Sequence, residues 1–504
     1  MSFEHWNVPD SWFFYEIGNV TKVVAGGTPD ASDPANFTEA GGYPWLTPAD
    51  LSRFKGKYVE RGSRNLSEQG FASCSAKLMP AGSVLFSSRA PIGYVAIAKN
   101  PISTNQGFKN FVPPSDVDSR YLYYYLRHIK PMAEAVATGT TFKELSGGAA
   151  AKLPLLIAPL AEQKRIADKL DTLLSRVDAC RERLHRVPAL IKRFKQSVLA
   201  AATSGELTAD WRIDTDMGIE KSGTLPQGLS LPVGIKRLSK QSFKTVKIPY
   251  RKFALPVSWL VCTVGDLYNA KILIDFADGN HGGLYPRRDE FGAEGAIFLT
   301  ATQMDLGWKV NLAGCPRLNS TKASQLKKGW AKHGDVLLSH NATVGRVAVL
   351  ESKEEDVLLG TSVTFYRFNE QYFNPQFGAL VFSSSFFQDQ LHSVMEQTTR
   401  DQVPITKQVS LNLVVPPLAE QVEIAHRVGK LFAIAERLEK RLLTTQVAAS
   451  RLTPSILSKA FRGELVPQDP NDEPAQKMLE RLNTAKSGGP LKATPRGRKR
   501  TATK

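Results

Sequence analysis

The sequence predicts an α+β protein: two similar mixed α/β domains separated by two long helices that pair as an antiparallel coiled coil, with pseudo-two-fold symmetry. Three observations carry this expectation. Residues 159–207 and 417–465 both open with Pro-Leu-Ala-Glu-Gln and close with Gly-Glu-Leu, and they align without a gap. Inside the first stretch, apolar or small residues fall at Ile166, Leu170, Leu173, Val177, Cys180, Leu184, Val187, Ile191, Phe194, Val198 and Ala201, a strict 4,3,4,3 spacing. The second stretch keeps the pattern at Ile424, Val428, Leu431, Ala435, Leu438, Leu442, Thr445, Ala449, Leu452, Ile456 and Lys459, with Thr445 and Lys459 its weak positions. A stripe recurring every 3.5 residues is what a helix needs to hold one seam against a partner helix. Two unrelated amphipathic helices would not share both ends and an ungapped register.

The repeat reaches beyond the helices. Pro9-Asp-Ser-Trp12, with Gly18 following, is echoed by Pro256-Val-Ser-Trp259 and Gly265. Residues 82–97 (Gly-Ser-Val-Leu-Phe-Ser-Ser-Arg-Ala-Pro-Ile-Gly-Tyr-Val-Ala-Ile) parallel residues 334–349 (Gly-Asp-Val-Leu-Leu-Ser-His-Asn-Ala-Thr-Val-Gly-Arg-Val-Ala-Val). Each reads as strand, polar loop ending in glycine, strand. The expected division is a first domain at 1–155, a first helix region at 156–210, a linker at 211–246, a second domain at 247–414, a second helix region at 415–466 and a basic C-terminal tail at 467–504. Within the first domain Trp6, Trp12, 84–86 and 94–98 are expected core. Residues 121–129, rich in tyrosine, read as a helix whose rings pack on a sheet rather than stack on bases. Residues 214–242, rich in Gly, Ser, Pro and Lys, form the linker, 475–486 a short helix, and the rest a disordered tail. Pro188 and Pro454 fall inside the periodic stretches, where each costs about 3 kcal/mol unless the helix bends or restarts. Each long helix is therefore expected to be bent or two-part.

Composition narrows the function. At 504 residues the chain should hold several domains. It has no apolar run of membrane-spanning length and no basic-then-apolar leader, which predicts a cytoplasmic protein. Cys74, Cys180, Cys262 and Cys315 lie far apart with no Cys-x-x-Cys pair, so neither a zinc site nor a disulfide framework is indicated. A net charge of +17 favours a polyanionic partner, and seven of those charges sit in residues 485–504 without an acid. Two paired helices fix how the domains are set: antiparallel at opposite ends of a rod, parallel side by side. Two similar domains related by an approximate two-fold suit two half-sites on a duplex, and their divergence predicts an asymmetric, split target.

Catalytic motifs are missing. There is no phosphate-binding loop and no Gly-x-Gly-x-x-Gly. Asn374-Pro375-Gln376-Phe377 lacks the second proline of an amino-methyltransferase run. Asp335 followed by Glu351-Ser-Lys353 has the spacing of a metal-dependent nuclease site, but the first module has Ser83 and Ala98-Lys99 there, and a solvated loop explains the acids better. His281, His333, His340 and His392 have no metal-ligand spacing.

The chain resembles the specificity subunit of type I restriction–modification systems over nearly its whole length. The resemblance rests on residues 159–174 (Pro-Leu-Ala-Glu-Gln-Lys-Arg-Ile-Ala-Asp-Lys-Leu-Asp-Thr-Leu-Leu), on 417–421, and on 455–465 (Ser-Ile-Leu-Ser-Lys-Ala-Phe-Arg-Gly-Glu-Leu). It implies a subunit without catalysis of its own, whose two target-recognition domains each read one part of a bipartite sequence in double-stranded DNA. The helices would set the gap between those parts and dock two methyltransferase (modification) subunits, with restriction/translocase subunits joining for defence against foreign DNA. S-adenosylmethionine, ATP and Mg2+ would bind in those partners, so no cofactor is expected on this chain. The linker is long for the family.

Chemistry alone proposes the DNA contacts: Arg reads guanine, Asn or Gln reads adenine, and Lys, Ser and Thr hold phosphates. The strand-loop-strand tips offer Ser87, Ser88 and Arg89 in the first module and His340, Asn341 and Arg346 in the second. Further candidates are Arg53, Lys55, Lys57, Arg287, Arg288, Thr302 and Gln303. Of these, Arg89 and Asn341 are the side chains expected to read bases. The alternative, a coiled-coil scaffold binding only proteins, sits poorly with duplicated basic domains. A self-sufficient enzyme sits poorly with the missing motifs.

Overall fold

The computed structural model describes residues 8–89, 91–139, 143–215, 255–256, 258–280, 285–304, 307–353, 356–397 and 401–485. Trp6, His281, most of the expected linker and the tail beyond residue 485 lie outside the described residues. The chain divides into two compact units, Met1–His185 with Thr444–Lys504 and Arg186–Leu443. Each unit therefore takes its α/β domain together with pieces of both long helices.

The first unit is built on a five-stranded sheet in the order Lys22–Ala25, Lys109–Val112, Val84–Phe86, Val95–Ala98, Tyr58–Val59. Its neighbours are antiparallel except the last pair, which is parallel. Side chains alternate across a strand, and this sheet uses both faces. Val84 and Phe86 point to the larger core with Ile97, Phe111 and the helix Ser119–His128. Leu85 points the other way, to Leu46, Val59 and Met79 beneath a smaller sheet that includes Tyr43–Leu46. The second unit repeats the plan with Leu273–Asp278, Val363–Phe368, Val336–Ser339 and Val347–Val349. There Val336 and Leu338 face one core and Leu337 the other. In both units the domain is closed by an antiparallel ribbon of its first and last strands, Phe13–Glu16 with Pro154–Ile157 and Leu260–Thr263 with Asn412–Val415.

The tyrosine-rich segment is a helix with Tyr121, Tyr123, Tyr124 and Tyr125 all buried. Tyr121 donates to the Leu156 carbonyl at 2.9 Å, and Tyr121 and Tyr125 meet the Phe461 ring edge-on. These rings belong to the core and are out of reach of any base.

The long helices are Leu160–Ser204 and Leu418–Ala460, each continuous through its proline. The expected restart at Pro188 or Pro454 is absent. Pro454 leaves the carbonyl of residue 450 without its helical donor, and in the first unit the Arg181 guanidinium supplies one, at 3.1 Å from the Ser450 carbonyl and 2.8 Å from that of Ala449. Pairing is antiparallel within each unit. In the first, Leu170 and Leu174 share a core with Leu457, Ala460 and Phe461 while Arg181 reaches back to Ala449. In the second, Lys195 bonds Glu439 at 3.0 Å while Thr208 bonds Glu420 at 2.7 Å.

The seam is narrower than the spacing predicts. Ile166, Leu170, Val177, Ile191, Ile424, Val428 and Leu442 are buried, and Leu173, Leu184, Leu431 and Ile456 are half-buried. Phe194, Leu438 and Leu452 are exposed, at 39%, 48% and 43%. A pair of helices covers only one side of each, so one heptad row stays inside: Leu170, Val177 and Ala449 in the first unit, and Ile191, Val198, Val428, Ala435 and Leu442 in the second. A straight helix also drifts by about 20° per heptad, which brings Leu174, Leu199 and Leu457 inward.

One polar interaction recurs in both units. Trp12 Nε1 donates to Glu162 at 2.8 Å, and Trp259 Nε1 donates to Glu420 at 2.8 Å. The following glutamines, Gln163 and Gln421, donate to the Ala158 and Pro416 carbonyls and accept from the Asp118 and Asn374 amides. The repeated Pro-Leu-Ala-Glu-Gln is thus a joint between helix and domain. The repeated Gly-Glu-Leu closes it. Gly205 (φ +84°) and Gly463 (φ +76°) lie against the rings of Pro256 and Pro9, where a Cβ would clash. The chain beyond each glycine then returns to the glutamate, through Gln468 to Glu162 and through Thr208 and Arg212 to Glu420.

Two measurements follow. Trp12→Phe leaves the buried Glu162 carboxylate short of a donor and should cost about 1–3 kcal/mol in chemical denaturation; an unchanged midpoint would show that the tryptophan is only packing. His128 is pushed down to about 4 by burial, with the charge of Arg462 adding to it. The unfolded chain takes up that proton near pH 6.5 and the folded chain does not. Stability is then complete above about pH 6.5 and is lost as the pH falls towards 4, by at most on the order of 3 kcal/mol. His128→Phe should lose less stability than the parent between pH 7 and 5; equal losses would clear His128.

Candidate nucleic-acid interface

The two polar loops are built alike. Val84–Phe86 and Val95–Ala98 form one hairpin, Val336–Ser339 and Val347–Val349 the other. At the neck of the first, the Ser87 hydroxyl accepts from the Tyr94 amide at 2.8 Å and donates to the Pro91 carbonyl at 2.8 Å. At the neck of the second, the Ser339 hydroxyl accepts from the Arg346 amide at 2.8 Å. Gly93 (φ +91°) and Gly345 (φ +93°) make the same left-handed turn. Ser87 and Ser88 are fully buried. They were expected at an exposed tip; instead a serine at the neck is the cheapest side chain that can cap a strand-end amide locally.

The backbone of the next residue completes the frame. Ser88 donates to the Gly107 carbonyl and accepts from the Leu145 amide, and His340 donates to the Ser362 carbonyl and accepts from the Val403 amide. These matched bonds make Arg89 equivalent to Asn341, Lys109 to Thr364, and Glu144 to Gln402. The isolated bridges Arg89–Glu144 and Asn341–Gln402 confirm the alignment. The same place therefore carries Arg, Lys and Glu in one unit and Asn, Thr and Gln in the other.

In the first unit the three charges meet. Arg89 Nη1 lies 3.7 Å from Glu144 Oε2, and Lys109 Nζ lies 3.8 Å from Glu144 Oε1. Lys109 is buried, its ammonium 3.4 Å from the Ser88 hydroxyl and 3.4 Å from the Gln106 carbonyl. Burial lowers its pKa; Glu144 opposes that shift and Arg89 adds to it. In the second unit His340 and Thr364 are buried and Asn341 is half-buried beside exposed Gln402. The residues sequence reasoning missed here, Lys109, Glu144, Thr364 and Gln402, come from strands and turns remote from the hairpin. The only hint in the sequence is that Glu144 and Gln402 hold equal places ahead of the two Pro-Leu-Ala-Glu-Gln runs.

The other candidates separate into exposed cations and structural groups. Arg53, Lys55, Arg287, Arg288 and Thr302 are exposed. Lys57 is bound to Asp171 of the first long helix and lies 5.4 Å from the Tyr124 ring, bracing domain against helix. In the second unit a stacked pair, Trp308 on Phe432 at 4.8 Å, braces the domain on its helix. Gln303 accepts from the Thr300 amide at 3.0 Å and hydroxyl at 2.8 Å, as Asp50 does from Thr47. Arg346 donates to the Ala301 and Met304 carbonyls, both at 3.1 Å. These three are committed to the fold. Asp335 is likewise paired, at 2.7 and 2.9 Å, with Arg367, so it is an ion-pair partner inside the sheet. No group of His, Cys, Asp and Glu that could hold a metal occurs among the described residues. No helix among them is long and apolar enough to cross a membrane.

Comparison with known proteins places this frame. Residues 9–188 match the type I restriction modification DNA specificity domain. The chain is 37% identical over 210 residues to the MjaIX specificity subunit of Methanocaldococcus jannaschii, a match spanning 41% of this chain but only 45% of that relative. It is 24% identical over 507 residues to the EcoKI specificity subunit of Escherichia coli (strain K12), covering 96% of this chain and 97% of that one. The fold is similar to the crystal structure of the HsdS subunit from Thermoanaerobacter tengcongensis, with a TM-score of 0.58 at 17% identity over 92% of this chain and all of that one.

Ser87→Ala strips the acceptor from the Tyr94 amide and should cost about 1–2 kcal/mol, whereas Arg53→Ala on the open surface should stay within about 0.5 kcal/mol of the parent. Denaturation curves check both. A silent Ser87→Ala would mean the loop is held without that hydroxyl.

Proposed function

Because this chain belongs to the specificity subunits of type I restriction–modification systems, we propose that it reads a bipartite, asymmetric sequence in double-stranded DNA. The α/β domains at 1–155 and 247–414 each take one part. One observation carries this reading: a matching hairpin frame presents Arg89 and Glu144 in one unit and Asn341 and Gln402 in the other. A frame held fixed while the side chains it presents differ in charge and hydrogen-bonding type is what two different half-sites require. The exposed cations Arg53, Lys55, Arg287 and Arg288 would neutralise phosphates around those readers.

The chain contributes recognition and no chemistry. Adenine methylation falls to two methyltransferase subunits that hold S-adenosylmethionine, and ATP- and Mg2+-dependent cleavage to restriction/translocase subunits, all in the cytoplasm. Apolar side chains left open on the long helices favour such docking. In the second unit Leu190, Phe194, Ile434, Leu438 and Leu443 are 39–65% exposed, more than a solvent-facing stripe needs. The helix regions at 156–210 and 415–466 would then both space the readers and seat the partners.

The test is to co-express the chain with its methyltransferase partner and map methylated adenines across a genome. A single asymmetric motif split by a fixed gap is expected. Asn341→Ala should lose about 1–3 kcal/mol of discrimination and relax only one side of that motif. Scattered or absent methylation in the parent would overturn the reading.

A further inference from the structure

The charged trio of the first unit poses a question that its role in the fold does not answer. Glu144 stands between Arg89 and Lys109, yet neither cation reaches hydrogen-bond distance of it: the approaches are 3.7 and 3.8 Å. A structural ion pair closes to about 2.7–2.9 Å, as Arg367 does on Asp335 at 2.7 Å. The Glu144 side chain is 44% exposed and that of Arg89 37%, while that of Lys109 is 9%. A buried ammonium thus sits behind an open carboxylate, and among the described residues its hydrogen bonds are two, at 3.4 Å to the Ser88 hydroxyl and the Gln106 carbonyl. Burying an ammonium without a close counter-charge is unfavourable, and its lowered pKa has burial as the main cause. The second unit shows that the frame does not need the trio. Thr364 replaces the lysine and Gln402 the glutamate, with the hairpin unchanged. Where the two cations are absent, so is the acid.

We propose that Glu144 is a resident counter-anion, which a DNA phosphate displaces from between Arg89 and Lys109 when the first unit engages its half-site. The inference rests on the DNA-reading function proposed above. It gives Arg89 a backbone contact, and it makes Lys109, whose side chain is 9% exposed, a phosphate ligand. Displacing Glu144 exchanges one anion for another, so two cations face a single anion in both states. The free protein is thereby kept from holding arbitrary duplex through these two cations.

The trio can be taken apart in the complex of the full chain with its methyltransferase partner, titrated with a non-target duplex and with the methylated motif's duplex over a range of NaCl. Glu144→Gln keeps the shape and removes the charge. It should bind the non-target duplex several-fold tighter at low salt, with the slope of log K against log[NaCl] steeper by about one, and discriminate less. Adding Lys109→Met should abolish that gain. Thermal melts of each variant confirm folding, and Gln402→Glu in the second unit, where Asn341 and Thr364 stand in the places of the two cations, should not mirror the effect. If Glu144→Gln leaves affinity and salt slope unchanged, or if the gain survives Lys109→Met, the counter-anion is overturned while DNA reading stands. If the parent complex itself fails to prefer its motif, the functional reading falls first.

Discussion

Each unit depends on one buried carboxylate. Glu162 and Glu420 are about 1% exposed, and an ionised group there survives only if it is fully bonded. The donors come from chain segments far apart in sequence: the tryptophan just ahead of the domain, and the segment that follows a long helix. Burial raises the Glu162 pKa, against the donors that hold its charge. Removing any strand of this knot leaves an expensive charge in the core. The glutamate therefore obliges the start of the domain, the start of its helix and the far end of the other helix to meet. Ordinary apolar packing would have tolerated slippage along either helix.

Much of this frame was legible in the sequence because it is written twice. The shared Pro-Leu-Ala-Glu-Gln, Gly-Glu-Leu and Pro-x-Ser-Trp runs marked the joint, and the alternation around 84–86 and 336–338 marked the hairpins. Their purpose was not legible, since a glutamate between a proline and a helix looks like any first-turn acid until its tryptophan is in place. The heptad stripe was read correctly as a pairing face and too generously as a seam. Phe194, Leu438 and Leu452 obey the spacing, but two helices offer cover for only one of the two rows. Of the two outcomes expected at the prolines, the two-part helix is not found: Arg181 reaches the carbonyl that Pro454 orphans, a rescue from the neighbouring helix that no local rule foresees.

The candidate interface was read less well, for a physical reason. Ser87, Ser88, Lys57, Gln303 and Arg346 are residue types that suit nucleic acid and suit a turn or a brace equally. Composition cannot separate the two uses, and burial can. Lys109 and Glu144 escaped notice because they approach Arg89 only through long-range strand pairing. What remained open at the surface, Arg53, Lys55, Arg287 and Arg288, is the part that charge alone had already suggested.

The hairpin necks have a further consequence. Ser87 with Gly93 and Ser339 with Gly345 close two loops whose intervening residues share almost nothing. Between the necks Ser88, Ile92 and His340 stay buried, but the neck bonds use only a serine hydroxyl and main chain, so the open positions at Arg89 and Asn341 carry little folding duty. Mutations there can accumulate and be sorted by what they bind, with little cost in foldedness. The neck acts as a socket: it lets one inherited scaffold acquire new vocabulary at its tips while the grammar of the joint is left alone.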